Sequence, residues 1–373
     1  MNAVRVGIVG TGSVASSVHL PILTRRSDLF EIVALADLNI NAAHTLASRF
    51  GIAISNCFED PSAMLRIKEM DAILILNSGS HAEIVEIALR AGKTVFCEKP
   101  LAYSRAEMNA IARASQESGS KLMIGYMKTF DPAVIEAQKV IKSRPRTVDV
   151  LVLHPSGDSQ LVTSDESLNI PKPSKELINI FAKSRIAVQE QALGKAGAES
   201  FGNLYSEIVL GSVIHEFSVL RALDIHITDI DYVDRWPDGS ASDSLIICGR
   251  TSDGVRVTVR WFYLDQYPFY QEEIRWVSGE EGHHIIFPSP YILRVPTQLV
   301  STLRKGIDHQ INKFESYKPS FENELEAFYK LVKKGEQKSD PIADGLEDLV
   351  LAQKIAKKIA ENEMTPLGGE LLN

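Results

Sequence analysis

At 373 residues the chain exceeds what one hydrophobic core usually serves, so two domains, or one α/β domain with a large addition, are expected. Hydrophobic residues at 45% and charged residues at 24% exclude a disordered chain, and Lys+Arg 40 against Asp+Glu 48 gives a net charge of −8 with no basic block, which argues against a nucleic-acid partner. Cys57, Cys97 and Cys248 show no CxxC pairing, and no apolar run reaches the roughly 18 residues of a membrane span, so neither a disulfide framework, a cysteine zinc site nor a membrane anchor is expected, and the chain reads as cytoplasmic.

The first 125 residues alternate short β-branched runs with amphipathic stretches, the pattern of βαβ units and a parallel, doubly wound sheet. Strands are expected at Val4–Val9, Glu31–Ala36, Ile52–Ser55, Ala72–Leu76, Thr94–Cys97 and Leu122–Ile124. Helices are expected at about Ser13–Arg26, Asn41–Phe50, Pro61–Ile67, Ala82–Ala91 and Arg105–Ser118. The turn after the first strand reads Gly10-Thr11-Gly12-Ser13-Val14-Ala15, a GxGxxA fingerprint between a strand and a helix. Gly10 permits the tight turn, Gly12 lets a pyrophosphate approach, and Ala15 keeps the helix close to the strand. Asp37 closes the second strand, where a carboxylate can accept from ribose hydroxyls and repel a 2′-phosphate. Leu38-Asn39-Ile40 offers no cation to offset it, so NAD is expected over NADP; Arg25-Arg26 reads as a solvated helix end.

Ligands of an open parallel sheet gather at the carboxyl ends of its strands, which here present Asn77-Ser78, Glu98-Lys99 and Gly125-Tyr126. Pro100 disfavours a helical conformation at Lys99, which should stay extended at the crevice. His81 either caps the next helix or lines the nicotinamide site.

After Asp131-Pro132 the rhythm changes. A helix at about Ala133–Ser143 leads to a strand, Val148–His154, then to a Ser-, Pro-, Gly- and charge-rich stretch, Pro155–Ala198, which is too long for a loop and reads as an insertion or an active-site cover. Tyr205–Leu223 reads as a strongly apolar helix, and Ile227–Leu293 as strands, including a hairpin of Ser244–Cys248 and Val255–Tyr263. Helices return at about Phe321–Lys334 and Gly345–Ala360. His283-His284, in a hairpin turn, reads as solvated, and no metal site is expected.

Gly7-Ile-Val-Gly-Thr-Gly12, the segment Asp71–Pro100 ending in Glu98-Lys99-Pro100, and Gly125-Tyr-Met-Lys-Thr-Phe-Asp-Pro132 together resemble the Gfo/Idh/MocA family, which includes glucose–fructose oxidoreductase and inositol 2-dehydrogenase. The tail from Ala327 to Val350 is also similar to it. The resemblance implies a Rossmann domain over 1–125 and an α/β domain with an open, mostly antiparallel sheet over 126–373, with 155–204 as an insertion and 321–362 as closing helices. It implies an NAD-dependent dehydrogenase acting on a secondary alcohol of a sugar, glycoside or cyclitol.

The family's catalytic lysine falls on Lys99. Its Asp-x-x-x-His element falls on Gly211-Ser-Val-Ile-His215, so the histidine is kept and the carboxylate is replaced by Gly211. Residues four apart share a helical face, so an Asp there could orient the imidazole, whereas glycine cannot. It could instead make room for a ligand, a water or a neighbouring backbone. Ser212 and Glu207 are candidate replacements. His215 suits general acid/base work, while Tyr126, Lys128 and His154 are candidate substrate contacts. Two other classes fit the same residues: a glycoside-cleaving enzyme using NAD transiently, and a non-catalytic dinucleotide-binding regulator. An exposed sheet face would call for a homo-oligomer, a dimer or tetramer.

Overall fold

The computed structural model describes residues 3–155, 170–237, 243–290, 292 and 295–372. The first sheet has the order β3-β2-β1-β4-β5-β6, all parallel. Its strands are β1 (Val4–Val9), β2 (Phe30–Ala36), β3 (Cys57–Phe58), β4 (Ala72–Ile75), β5 (Thr94–Glu98) and β6 (Leu122–Gly125). Between them lie α1 (Leu20–Arg25), α2 (Ile40–Phe50), α3 (Pro61–Met64), α4 (Ala82–Arg90) and α5 (Arg105–Ser118). Strands β1 and β4 are almost wholly apolar and buried, as a sheet covered on both faces requires.

The expected third strand is displaced. Ile52 is buried but Ile54 is 46% exposed, so the run never presents one face to the core; residues Ile54–Asn56 form a 3-10 turn and the strand is the two residues after it. The helix expected over Ser13–Arg26 contains a π turn, Ala15–His19, before α1.

The second sheet has eight strands in the order β14-β13-β12-β11-β7-β10-β9-β8. Helix α6 (Pro132–Val140) leads into β7 (Thr147–His154). After α7 (Lys175–Asn203), a π helix (Leu204–Val213) and α8 (Ile214–Ala222), the chain forms β8 (Ile227–Pro237), β9 (Asp243–Thr251), β10 (Arg256–Tyr263), β11 (Gln271–Val277), β12 (Glu281–Phe287), β13 (Thr297–Lys305) and β14 (Asp308–Ser316). Only β7 and β10 pair in parallel. The β9–β10 hairpin carries the expected turn, closed by Gly254 N–H donating to the Thr251 carbonyl. The β13–β14 hairpin was not foreseen, because β14 exposes both faces over most of its length and shows no clean alternation.

The histidines expected to be solvated stand on β12. His283 is buried, stacks on Trp276 and bonds Ser301 Oγ at 2.9 Å, while half-buried His284 meets Glu273 at 2.9 Å on the opposite face. A turn assignment put them in water; the strand runs through them instead.

The closing helices do not stay with the second sheet. α9 (Ser320–Lys334) buries Leu325, Phe328 and Leu331 against the first sheet's core beside Ile8, Leu23 and Phe96. Arg25 and Arg26, read as solvated, pair with Glu322 of α9, Arg26 also with Glu326. α10 (Pro341–Glu363) packs on β8, α5 and α7. The tail beyond it places Glu370 at the start of α5, where its carboxylate accepts from Arg105 N at 2.7 Å and Ala106 N at 3.0 Å.

Helix α7 is kinked at Gly194, whose φ of 72° and ψ of 168° suit glycine alone. A Cβ there would lie 2.6 Å from Gly368 Cα, so the tail crosses the kink by backbone contact. Gly194→Ala is expected to destabilise the fold by about 1–3 kcal/mol or more, measured by denaturant unfolding.

Candidate active site

The fingerprint turn is shaped for a phosphate. Gly10 has φ +88°, and a Cβ on it would lie 2.4 Å from Asn77 N, so the turn tolerates no side chain. Gly12 is exposed with nothing within 4 Å of where its Cβ would be, which leaves open space before the helix start, flanked by exposed Ser13 and half-buried Val14. Ala15 is fully buried against the strand.

Asp37 is bound into this turn. Its Oδ2 accepts from Thr11 N at 2.7 Å and Thr11 Oγ1 at 2.8 Å, and its Oδ1 from Asn39 N at 2.7 Å. The carboxylate is thus fixed at the end of β2 beside the phosphate turn. At the end of β4, Asn77 donates to the carbonyls of Ser78 and Ser80, while its buried Oδ1 has no partner in the protein. Fixed acid, open turn and unpartnered amide oxygen fit a dinucleotide. His81 does not cap α4: its ring lies 2.8 Å from the carbonyls of both Pro100 and Asn77 and ties the loops after β4 and β5 together.

Glu98 and Lys99 turn in different directions. The Glu98 carboxylate meets buried His19 at 2.9 Å and accepts from Lys99 N at 3.3 Å, so it shapes the loop rather than facing a ligand. The Lys99 ammonium crosses to the second half of the chain and donates to the carbonyl of Gly211. Burial lowers the Lys99 pKa, the Lys128 charge adds to the effect, and Glu98 and Glu216 oppose it.

Gly211 lies in a π helix, Leu204–Val213, where an α-helix was expected. Such segments occur mostly as local bulges in helices and frequently at functional sites. A Cβ on Gly211 would lie 3.2 Å from the Ser206 carbonyl one turn back in the same π helix, and no other segment comes within 4 Å of it.

His215 follows at the start of α8. Its buried Nδ1 has no partner, and burial, with the nearby Lys99 and Lys128 charges, holds its pKa well below the usual range. The imidazole is therefore neutral and free to accept a proton at neutral pH. Ser212 Oγ accepts from Trp261 Nε1 at 2.9 Å, which joins this helix to β10. Glu207 is exposed and pairs loosely with Arg185 at 3.6 Å, so it does not replace the missing carboxylate.

Around Trp261 the inner face of the second sheet ends in a ring cluster. His154 lies 5.2 Å from Trp261, 6.2 Å from Tyr263 and 6.0 Å from Tyr270, centroid to centroid. Beneath it the buried Lys128 ammonium meets Glu216 at 2.8 Å and Glu272 at 2.6 Å, and Tyr270 donates to Glu272 at 2.5 Å. One cation faces two carboxylates, and burial pushes Glu216 up to about 8. Tyr126, expected at the substrate, donates its hydroxyl to Asp348 under the Arg221 guanidinium, 5.1 Å from the ring centroid, and belongs to a buried network instead.

The sequence reading missed His19, Glu216, Glu272, Trp261 and Tyr270. Glu216 left a signal, an acid beside His215 in a largely apolar helical stretch. The others come from distant segments and carried none. A groove of about 1060 Å³ between α6, α8 and α9 contains neither Lys99 nor His215. Among the described residues no group of three or more His, Cys, Asp or Glu could hold a metal ion, and no helix is long and apolar enough to cross a membrane.

A GxGxxA turn at the head of a parallel sheet, an acid closing the second strand and a lysine at the end of the fifth define a dinucleotide-binding α/β protein. Residues 4–126 match the model of the Gfo/Idh/MocA oxidoreductase family, an NAD-binding Rossmann fold. It is 32% identical over 139 residues to an inositol 2-dehydrogenase of Paracoccus denitrificans, 37% of this chain and 41% of that one. The chain thus spans about two fifths of the length of the first relatives it matches. Another inositol 2-dehydrogenase, from Azotobacter vinelandii, is 25% identical over 376 residues, 97% of this chain and 95% of that one. The fold of a 3-ketoreductase from Actinomadura kijaniata, solved with NADP and TDP-benzene, superimposes with a TM-score of 0.68 at 18% identity, covering 95% of this chain and 97% of that one.

Removing the cation at the centre of the buried cluster would strand two carboxylates, so Lys128→Met is expected to cost about 3–5 kcal/mol in urea unfolding. The raised Glu216 pKa means the folded chain holds a proton that the unfolded chain releases. Stability should therefore fall as pH rises from about 4.5 to about 8, and Glu216→Gln should flatten that fall.

Proposed function

We propose that the chain is an NAD-dependent oxidoreductase that interconverts a secondary alcohol and a ketone on a sugar, glycoside or cyclitol. The observation that carries this reading is the meeting of Lys99, from the end of β5, with the Gly211–His215 segment, whose imidazole keeps a buried nitrogen unpartnered. The inositol 2-dehydrogenase relatives support the substrate class.

The bound dinucleotide supplies the hydride acceptor. In the oxidative direction His215 accepts the hydroxyl proton, for which its depressed pKa keeps it ready. Lys99 donates a hydrogen bond to the same oxygen and stabilises the negative charge that develops there before the carbonyl forms. The dinucleotide would be held by Gly10, Thr11, Gly12, Ser13, Val14 and Ala15 at the phosphates, Asp37 at the ribose, and Asn77 and Ser78 beside the nicotinamide. Ser212 and His154 line the substrate side, with Lys128 below them.

NAD is preferred over NADP because the Asp37 carboxylate, pinned by Thr11 and Asn39, cannot swing away from a 2′-phosphate. Asp37→Ser is expected to narrow the ratio of kcat/KM for NAD over NADP by about tenfold or more.

Lys99→Ala is expected to keep dinucleotide binding, followed by NADH fluorescence, and to lose turnover by about 10²–10⁴. A screen of NAD reduction across free sugars, glycosides and inositols, with released aglycone assayed in parallel, tests the reaction; cleavage without net NADH formation would count against a dehydrogenase.

The second sheet supports assembly with a second copy. Leu151, Leu153, Ile246, Ile286 and Val300 share the face opposite the buried Val148, Val150 and Val152 and are only partly covered. Light scattering should report a dimer or tetramer; a monomer at micromolar concentration would remove this proposal.

A further inference from the structure

The first half of α7 is an unusual helix. From Lys172 to Ala187 nearly every residue is exposed, among them Ile178 at 51%, Ile180 at 49%, Phe181 at 37% and Ile186 at 49%. A helix of this length gains too little from its own hydrogen bonds to be stable alone in water, so something else must cover it.

Its two ends are anchored on opposite sides of the crevice. Just before it, Ile170 packs against the core of the first sheet, and the Pro171 carbonyl accepts from Asn39 Nδ2 at 2.8 Å. Asn39 is the N-cap residue of α2, yet its side chain makes no capping bond and reaches Pro171 instead. It stands two residues beyond Asp37, at the end of β2. At the far end, Gln189 is buried and donates to Ser206 Oγ at 2.8 Å, in the π helix whose Gly211 holds Lys99 at the end of β5.

In the order β2-β1-β4-β5 those strand ends are three spacings apart, about 14 Å. Lys175 to Gln189 spans about 21 Å of helix. The segment is therefore long enough to cross the crevice from the ribose acid to the catalytic helix.

We propose that residues 170–189 form an outer wall of the dinucleotide site, a strap laid across a bound nicotinamide dinucleotide whose apolar surface covers the exposed side chains. The proposal rests on the reading of the chain as a dinucleotide enzyme given above. It implies that the cofactor leaves only when the strap lifts, so that its dissociation is slow.

Limited trypsin digestion tests this, with cleavage after the exposed Lys183 and Arg185 followed by mass spectrometry. NADH at tenfold its Kd is expected to slow that cleavage about tenfold. Asn39→Ser, which keeps a capping side chain but cannot reach Pro171, should still bind NADH, release it about tenfold faster in a stopped-flow chase with excess NAD, and lose the protection. Unchanged cleavage under bound NADH overturns the strap and leaves the enzyme reading intact. Protection that follows protein concentration without NADH also overturns it, and assigns the helix to a second copy. Failure of NADH to bind at all would overturn both readings.

Discussion

The hydrogen bond from the Lys99 ammonium to the Gly211 carbonyl joins the two halves of this protein into one site. Lys99 stands where a parallel sheet ends, and Gly211 stands in a π helix beside a largely antiparallel sheet. A buried ammonium needs acceptors, and here a neutral carbonyl supplies one. A carbonyl compensates the positive charge less than a carboxylate would, in keeping with the lowered Lys99 pKa. Burial, and after it the Lys99 and Lys128 charges, lower the His215 pKa in turn.

Charge in the interior is otherwise handled by matching. Glu98 is set against His19, Lys128 against Glu216 and Glu272, and Asp348 against Arg221 and the Tyr126 hydroxyl. Each group joins segments far apart in the chain, and in each a missing partner would leave a buried charge, which is far more costly than the intact pair is stabilising. Glu324 differs: neither carboxyl oxygen has a partner, and burial, with the Glu98 charge, raises its pKa well above the carboxylate range.

The phosphate turn was legible because its demands are local. Gly10 needs a positive φ and Gly12 open space, and both follow from the residue type and its place between a strand and a helix. The β9–β10 hairpin and α5, with its Ser104 cap and terminal Gly119, were legible for the same reason. The π helix was not, because Leu204–Val213 is mostly apolar and periodicity over so short a run cannot separate one helical pitch from another. Of the residues expected on the substrate side, Lys99 does meet the Gly211–His215 segment. Tyr126 and Lys128 stand at the expected crossover, yet what they touch is set by Asp348, Glu216 and Glu272, 88 to 222 residues away.

The sequence by itself determined the nucleotide half: a run of β-branched strands, a glycine turn and one acid impose their geometry through backbone sterics and nearest neighbours. Tertiary structure alone decided the rest. Which carbonyl receives Lys99, which acids surround Lys128, and that α9 returns to the first sheet while residues 170–189 reach across to Asn39, all depend on contacts between distant segments. Such contacts leave no period in the chain, since burial and charge compensation act through space and not along the backbone.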